Sequence, residues 1–244
     1  MRNIKLIVEY DGSRYYGLQK QPNKETVQSE IERAIKEITN EEVNITYSGR
    51  TDAGVSAYGQ VISFHTNTDI PIDKLALAIN SHLKKSIIVQ NAEQVDDSFH
   101  PRYSCKGKKY RYVINNSRYG SAIFRKNEYH VPQKLDVDSM KEAIKYFEGT
   151  HDFKGFKASG TSNKDSVRTI YEANIYVQDD RINIELRGNG FLYNMVRIIT
   201  GTLIDVGLGK IKASEVPEII ESKDRKRAGK TVPPHGLYLV EVYY

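Results

Sequence analysis

The stretch GRTDAGVSAYGQV, Gly49 to Val61, sets one carboxylate, Asp52, in a glycine-flanked turn ahead of a strand-like run, with Arg50 two residues before it. A carboxylate presented on a loop at the end of a sheet can serve as a nucleophile or a base. The same Asp-Ala-Gly sequence also suits an Asx-turn, in which the carboxylate accepts from nearby backbone N–H groups. Arg50 has two jobs open to it: holding the charge of Asp52 or reaching a phosphate on a substrate. Their spacing in an irregular loop does not choose between them.

A second constellation is KGKKYRYVINN. Strand alternation there puts Tyr110 and Tyr112 on one face and Lys109 and Arg111 on the other, which offers stacking rings beside phosphate partners. Tyrosines on a strand are also ordinary core residues, and with 17 tyrosines and no tryptophan in the chain any single one is a weak signal. Further basic residues cluster at Lys106 and Lys108, at Arg125 and Lys126, and in KDRKRAGK, each of which can be a solvated face. GLGKIKAS lacks the spacing of a phosphate-cradling loop, and the six scattered histidines show no metal-ligand spacing. A phosphate-cradling NTPase loop and a catalytic zinc are therefore not expected.

The composition agrees with an anionic partner. A net charge of +5 and a pI near 9.0 favour nucleic acid over a neutral metabolite. The single cysteine, Cys105, excludes an intramolecular disulfide and fits a reducing compartment, the cytoplasm being the simplest assignment. The start MRNIKLIVEYDG has too short an apolar run for a signal peptide, and no stretch approaches the ~20 apolar residues of a membrane span.

These residues need elements to position them. Ile4, Leu6 and Val8 alternate as in a strand ending at the Asp11-Gly12 turn. TVQSEIERAIKEITN reads as a helix capped by Thr26, with Val27, Ile31, Ala34, Ile35 and Ile38 on one face. VNITYSG leads as a strand into the Asp52 turn and QVISFHT leads out of it; DKLALAINSHL is a helix and SIIVQNAEQV a strand. The second half reads as the strand KKYRYVINN, the helix DVDSMKEAIKYFEG closed by Gly149, a hairpin turned at Asp179-Asp180, the helix FLYNMVRIITGTLIDVG and the strand GLYLVEVYY. The element order suggests an α+β protein of two modules, residues 1–104 and 105–244, each a sheet with helices on one side.

With these residues placed, the chain resembles the tRNA pseudouridine synthase A (TruA) family over nearly its full length. YDGSRYYGLQKQPNKETVQSEIE matches that family's N-terminal pattern, GRTDAGVSAYGQV its GRTDAGVHAxGQV, and KKYRY its KxYxY strand. GTHDFKGF, SVRTI, GNGFLYNMVRIITGTLIDVG and PPHGLYLVEV follow in family order. Leu18 stands where the family usually has tryptophan and Ser56 where it has histidine.

The resemblance implies two ferredoxin-like (RRM-like) modules with mostly antiparallel sheets, joined around a central RNA-binding cleft with helices on the outer faces. It implies isomerisation of uridine to pseudouridine at positions 38, 39 and 40 of the tRNA anticodon stem-loop by a homodimer that uses neither cofactor nor metal. Asp52 would attack C1′ of the ribose or remove its 2′ proton, two routes the sequence leaves open. Arg197 matches the family's active-site arginine and would keep Asp52 ionised, or, as the one arginine of an otherwise apolar helix, form a buried structural pair. Tyr110 matches the active-site tyrosine and would stack on the base. Arg50 would fill the gap or hold the flipped nucleotide's phosphate. Arg168 in SVRTI would do similar electrostatic work or form a structural salt bridge, and His151 would fix a turn. The reading from another class is a non-catalytic tRNA-binding or RNA-folding module on the same scaffold.

Overall fold

The computed structural model describes residues 1–160 and 165–244. They form two units, Met1–Lys106 with Tyr238–Tyr244, and Gly107–Leu237.

In the first unit, β1 (Arg2–Tyr10), α1 (Val27–Thr39), β2 (Thr46–Tyr47), β3 (Ser56–Thr66), α2 (Ile72–Asn80) and β4 (Ile87–Val95) follow in sequence. Strand β1 pairs antiparallel with both β3 and β4, and β2 pairs with β3. Alternation puts Ile4, Leu6 and Val8 wholly inside, each burial contributing about 1.5–3 kcal/mol before the entropy of ordering is counted. The Thr26 hydroxyl accepts from Ser29 N–H and the Ser29 hydroxyl accepts from Thr26 N–H, a reciprocal cap that starts α1. Asn40, in the left-handed conformation at φ 59°, ends it. Both expected strands around the Asp52 turn exist with shifted bounds: β2 keeps only two residues, and β3 begins at Ser56, inside the motif.

The second unit holds β5 (Gly107–Asn115), β6 (Tyr129–His130), α3 (Val137–Lys145), β7 (Gly149–Asp152), β8 (Val167–Gln178), β9 (Arg181–Gly188), α4 (Met195–Gly207) and α5 (Val216–Ser222). Its strands run in the order β5-β9-β8-β7, antiparallel, with β6 parallel to β5. The hairpin turns at Asp179-Asp180, where Asp179 takes φ 53°. Two boundaries differ from the sequence reading. Helix α3 ends at Lys145, and Gly149, φ 99°, opens β7 instead of capping the helix. Helix α4 starts at Met195 because Asn194 sits at φ 61°, which leaves Phe191 to Tyr193 in the preceding turn.

The last strand, β10 (Leu237–Tyr243), pairs parallel with β3 through Tyr238 to Ser56 and Leu239 to Ala57. Most of it therefore belongs to the first unit, whereas the sequence reading placed all of 105–244 in one module. The architecture is α+β with mostly antiparallel pairing in each unit. No helix among the described residues is long and apolar enough to cross a membrane.

Candidate active site

Asp52 sits in the connection between β2 and β3, half-buried between buried Thr51 and exposed Ala53. The backbone closes this turn: Val55 N–H donates to the Asp52 carbonyl at 3.1 Å, with Gly54 at φ 83°. Around it stands a frame of buried polar side chains. Gln60, fully buried, accepts from the Ser48 hydroxyl at 2.7 Å and from Val61 N–H at 3.1 Å, and donates to the Gly49 carbonyl at 3.1 Å. One amide on β3 thus ties down the start of the loop. Tyr10 meets the Thr51 hydroxyl at 2.7 Å, and burial pushes its own hydroxyl up to about 12, so it stays neutral in the physiological range.

The turn after β1 packs onto this frame. A Cβ on Gly12 would lie 1.9 Å from the Val55 carbonyl oxygen, so only glycine permits the approach. Gly12 N–H donates to the Ser56 hydroxyl at 3.0 Å, and Leu18 N–H donates to the Thr51 carbonyl at 3.1 Å. At the two departures from the family pattern, Ser56 is buried and accepts from Gly12 N–H, and Leu18 is a fully buried core residue. Arg50 is exposed at the edge of the same loop.

In the second unit Tyr110 and Tyr112 part company. Tyr112 is wholly buried and donates its hydroxyl to the Pro233 carbonyl at 2.7 Å; burial raises its pKa far above the usual tyrosine value despite the opposing charge of Arg197. Tyr110 is half-buried and packs edge-on against Phe191, centroids 5.2 Å apart. On the opposite face, Lys109 and Arg111 converge on Glu185 at 2.6 and 2.8 Å. Burial alone would raise that carboxyl, but the two cations win and hold it below the ordinary glutamate range. The basic face of β5 thus carries an ion triad with β9.

Arg197 lies in the first turn of α4. Its Nε donates to the Val232 carbonyl at 2.8 Å and its Nη1 to Asn194 Oδ1 at 2.5 Å. The segment carrying Val232 is fixed because Gly201 lets Lys230 cross the helix: a Cβ on Gly201 would sit 1.9 Å from the Lys230 carbonyl oxygen. The Thr202 hydroxyl accepts from Gly229 N–H at 2.9 Å and secures the crossing. His235 lies near the same arginine; burial lowers its pKa, opposed by a hydrogen bond to the Glu128 backbone and aided by the Arg197 charge, which favours the neutral imidazole. Arg168 is paired with Asp165 at 3.4 Å and reaches the Val167 carbonyl at 2.5 Å. His151 donates to the Glu148 carbonyl at 2.8 Å, fixing a turn as expected.

Asp52 and Arg50 thus share one loop of the first unit, and Tyr110, Arg168 and Arg197 lie on separate elements of the second. Gln60, Tyr10 and Gly12 support the Asp52 loop, a role the sequence did not assign to them. All three lie inside the quoted motifs, but only the buried contacts show what they hold. Among the described residues, no three His, Cys, Asp or Glu side chains gather where they could hold a metal ion.

The family model described as tRNA pseudouridine synthase matches residues 6–104 and 143–244. The chain belongs to the tRNA pseudouridine synthase family. It is 55% identical to tRNA pseudouridine synthase A of Acetivibrio thermocellus over 244 residues, covering 100% of both chains. It is 52% identical, with the same coverage, to tRNA pseudouridine synthase A of Thermoanaerobacter pseudethanolicus. It is 51% identical, again end to end, to tRNA pseudouridine synthase A 2 of Clostridium perfringens. Likeness to solved structures is distant: an archaeal box H/ACA sRNP Nop10–Cbf5 complex is 15% identical with a TM-score of 0.35, over 88% of this chain and 60% of that one.

Proposed function

We propose that this pseudouridine synthase family member converts uridine to pseudouridine in tRNA, at positions 38, 39 and 40 of the anticodon stem-loop, with Asp52 acting at the ribose. The observation that carries this is Asp52 itself, held in a pre-built loop within a chain that matches its relatives end to end. In the reaction the N1–C1′ bond breaks, the uracil turns, and C5 bonds to C1′. The C5 hydrogen leaves as a proton and N1 takes one up, so the change is redox-neutral. Asp52 either attacks C1′ or removes the 2′ proton, and both routes need its carboxylate ionised.

Arg197 supplies the cation that favours that ionised form. Tyr110 stacks on the target base, a contact of about 1–3 kcal/mol that holds uracil while it is detached. Flipping the base from its stack costs a few kcal/mol, and Arg50 holds the displaced nucleotide's phosphate. Arg168, already paired with Asp165, is assigned the structural role. The proposal carries the family's finer features with it: ferredoxin-like modules about an RNA-binding cleft, a homodimer with one tRNA touching both subunits, and a cytoplasmic location. A binding-only module has no observation in its favour, since Asp52, Tyr110 and Arg197 all stand at their matched positions.

The test is site mapping: tRNA from cells with and without this protein, treated with a carbodiimide and read by primer extension. Stops at positions 38–40 that vanish without the protein and return with the wild-type chain, but not with Asp52→Ala, are the expected result. Stops that persist in its absence, or return with the Asp52→Ala chain, would overturn the proposal.

A further inference from the structure

The strand leaving the Asp52 loop carries an irregularity that the chemistry above does not use. In the antiparallel pairing of β1 with β3, Val8 faces Gln60 and Tyr10 faces Ala57. Tyr58 and Gly59 together therefore stand opposite the single residue Glu9, which makes this a β-bulge. Bulges re-aim a side chain and are over-represented beside active sites. Gly59 is what allows the bulge to lie against β10, because a Cβ there would be 2.7 Å from the Val240 carbonyl oxygen.

The re-aimed residue is Tyr58. It lies 46% exposed, although Ser56 and Ala57 before it and Gln60 after it are buried. Its ring stacks on Tyr238, which is only 7% exposed, with centroids 5.2 Å apart and planes 16° from parallel. A ring covered on one side by a buried ring is fixed in orientation and offers its other face to solvent. Such a preset aromatic face loses little conformational entropy on taking up a planar partner. It lies three residues of strand beyond Val55, roughly 10 Å at about 3.3 Å per residue.

We propose that Tyr58, backed by Tyr238, is a stacking platform for an unpaired nucleobase of the RNA substrate, near the target nucleotide but distinct from it. This rests on the reading of the Asp52 loop as the catalytic loop. Three observations favour a nucleobase. The aromatic face stands on the strand that runs directly out of the Asp52 turn. The exposed guanidinium of Arg50 at the loop's other end provides a phosphate partner, and rings beside cations are how single strands are held. The chain as a whole is basic, with a net charge of +5. Tyr110 would hold the uracil being rearranged, whereas Tyr58 would hold a neighbouring base and fix the register of the strand.

The absence of tryptophan from the chain gives a direct optical test. Tyr58→Trp creates a single tryptophan on the platform, to be titrated with unmodified tRNA transcript in parallel with affinities for Tyr58→Phe and Tyr58→Ala. The expected result is quenching of the new tryptophan by tRNA, near-wild-type affinity for Tyr58→Phe, and affinity weakened about tenfold or more for Tyr58→Ala. Unmoved emission at saturating tRNA, or unchanged affinity of Tyr58→Ala, overturns the platform. So does a Tyr58→Ala chain whose oligomeric state changes on sedimentation while its tRNA affinity holds, because the ring would then face a second copy. Pseudouridine formation by the wild-type chain is measured on the same transcript. Its absence alongside a quenched tryptophan would sink the catalytic reading and leave the platform standing, and its presence alongside a silent tryptophan would do the reverse.

Discussion

The loop bearing Asp52 and the helix start bearing Arg197 each present one charged side chain at the end of an element, and each depends on a glycine that another backbone crosses at close range. They differ in what fixes the side chain. Asp52 makes its turn through main-chain bonds and is framed by buried neutral groups, Tyr10, Thr51, Ser48 and Gln60, drawn from β1, β3 and the loop itself. Arg197 is gripped directly, with two of its five N–H groups held by the Val232 carbonyl and the Asn194 amide oxygen. In the first region buried neutral side chains tie the scaffold around the acid. In the second the charged side chain is itself part of the tie. Neutralising Asp52 should therefore remove chemistry without disturbing the fold, whereas altering Arg197 should disturb both.

The strongest break of this contrast is Asp52→Asn. Pseudouridine formation should fall about a thousandfold or more, while tRNA affinity and melting temperature stay near wild type. Release of tritium from C5-labelled uridine in tRNA measures the turnover, and a variant retaining near-normal turnover would remove Asp52 from the chemistry. Next is Arg197→Met, expected to cut turnover about a hundredfold with a smaller loss of affinity and a measurable drop in melting temperature. A loss confined to affinity would make it an RNA contact instead.

The two glycine crossings can be compared directly. Gly12→Ala and Gly201→Ala should each cost about 1–3 kcal/mol in urea unfolding, since each new Cβ meets a carbonyl oxygen at 1.9 Å. Gln60→Leu sharpens the same point from the polar side. It removes the bonds to the Ser48 hydroxyl and the Gly49 carbonyl, should cost about 1–3 kcal/mol, and should lower turnover by loosening the loop.

The smallest effect concerns Glu185. Its folded pKa lies below the unfolded value, so its ion triad contributes stability that is fully present above the ordinary glutamate value of about 4.3 and is lost as pH falls through the lowered folded value. Glu185→Gln should flatten that acid limb in melting curves recorded from neutral to acid pH. Lys109→Met should leave the salt dependence of tRNA binding nearly unchanged, because that lysine is already committed to Glu185.

Much of the positioning frame was legible in the sequence where the signal is local. Alternation gave Ile4, Leu6 and Val8, Thr26 announced its helix, and Asp179-Asp180 marked its hairpin. The failures lie where a non-local contact overrides a local preference. Gly149 looked like a helix cap because glycine after an apolar helical face usually is one, but pairing with β8 drew it into β7. The triad of Lys109 and Arg111 with Glu185 was not legible because Glu185 lies 74 residues from Arg111 and no local pattern links them. Helix α5 escaped notice because seven residues show too little of the helical period.

For this protein, the linear pattern was enough to fix the family and to offer Asp52, Tyr110 and Arg197 as candidates for the acid, the ring and the cation, because ordered short motifs survive in sequence. Only the tertiary structure decided which of Tyr110 and Tyr112 is core, that Ser56 and Leu18 are buried, and that Gln60 ties the Asp52 loop. Those facts depend on burial and on polar groups meeting across many residues of chain, and a buried donor or acceptor has to find its partner in space wherever the sequence happens to place it.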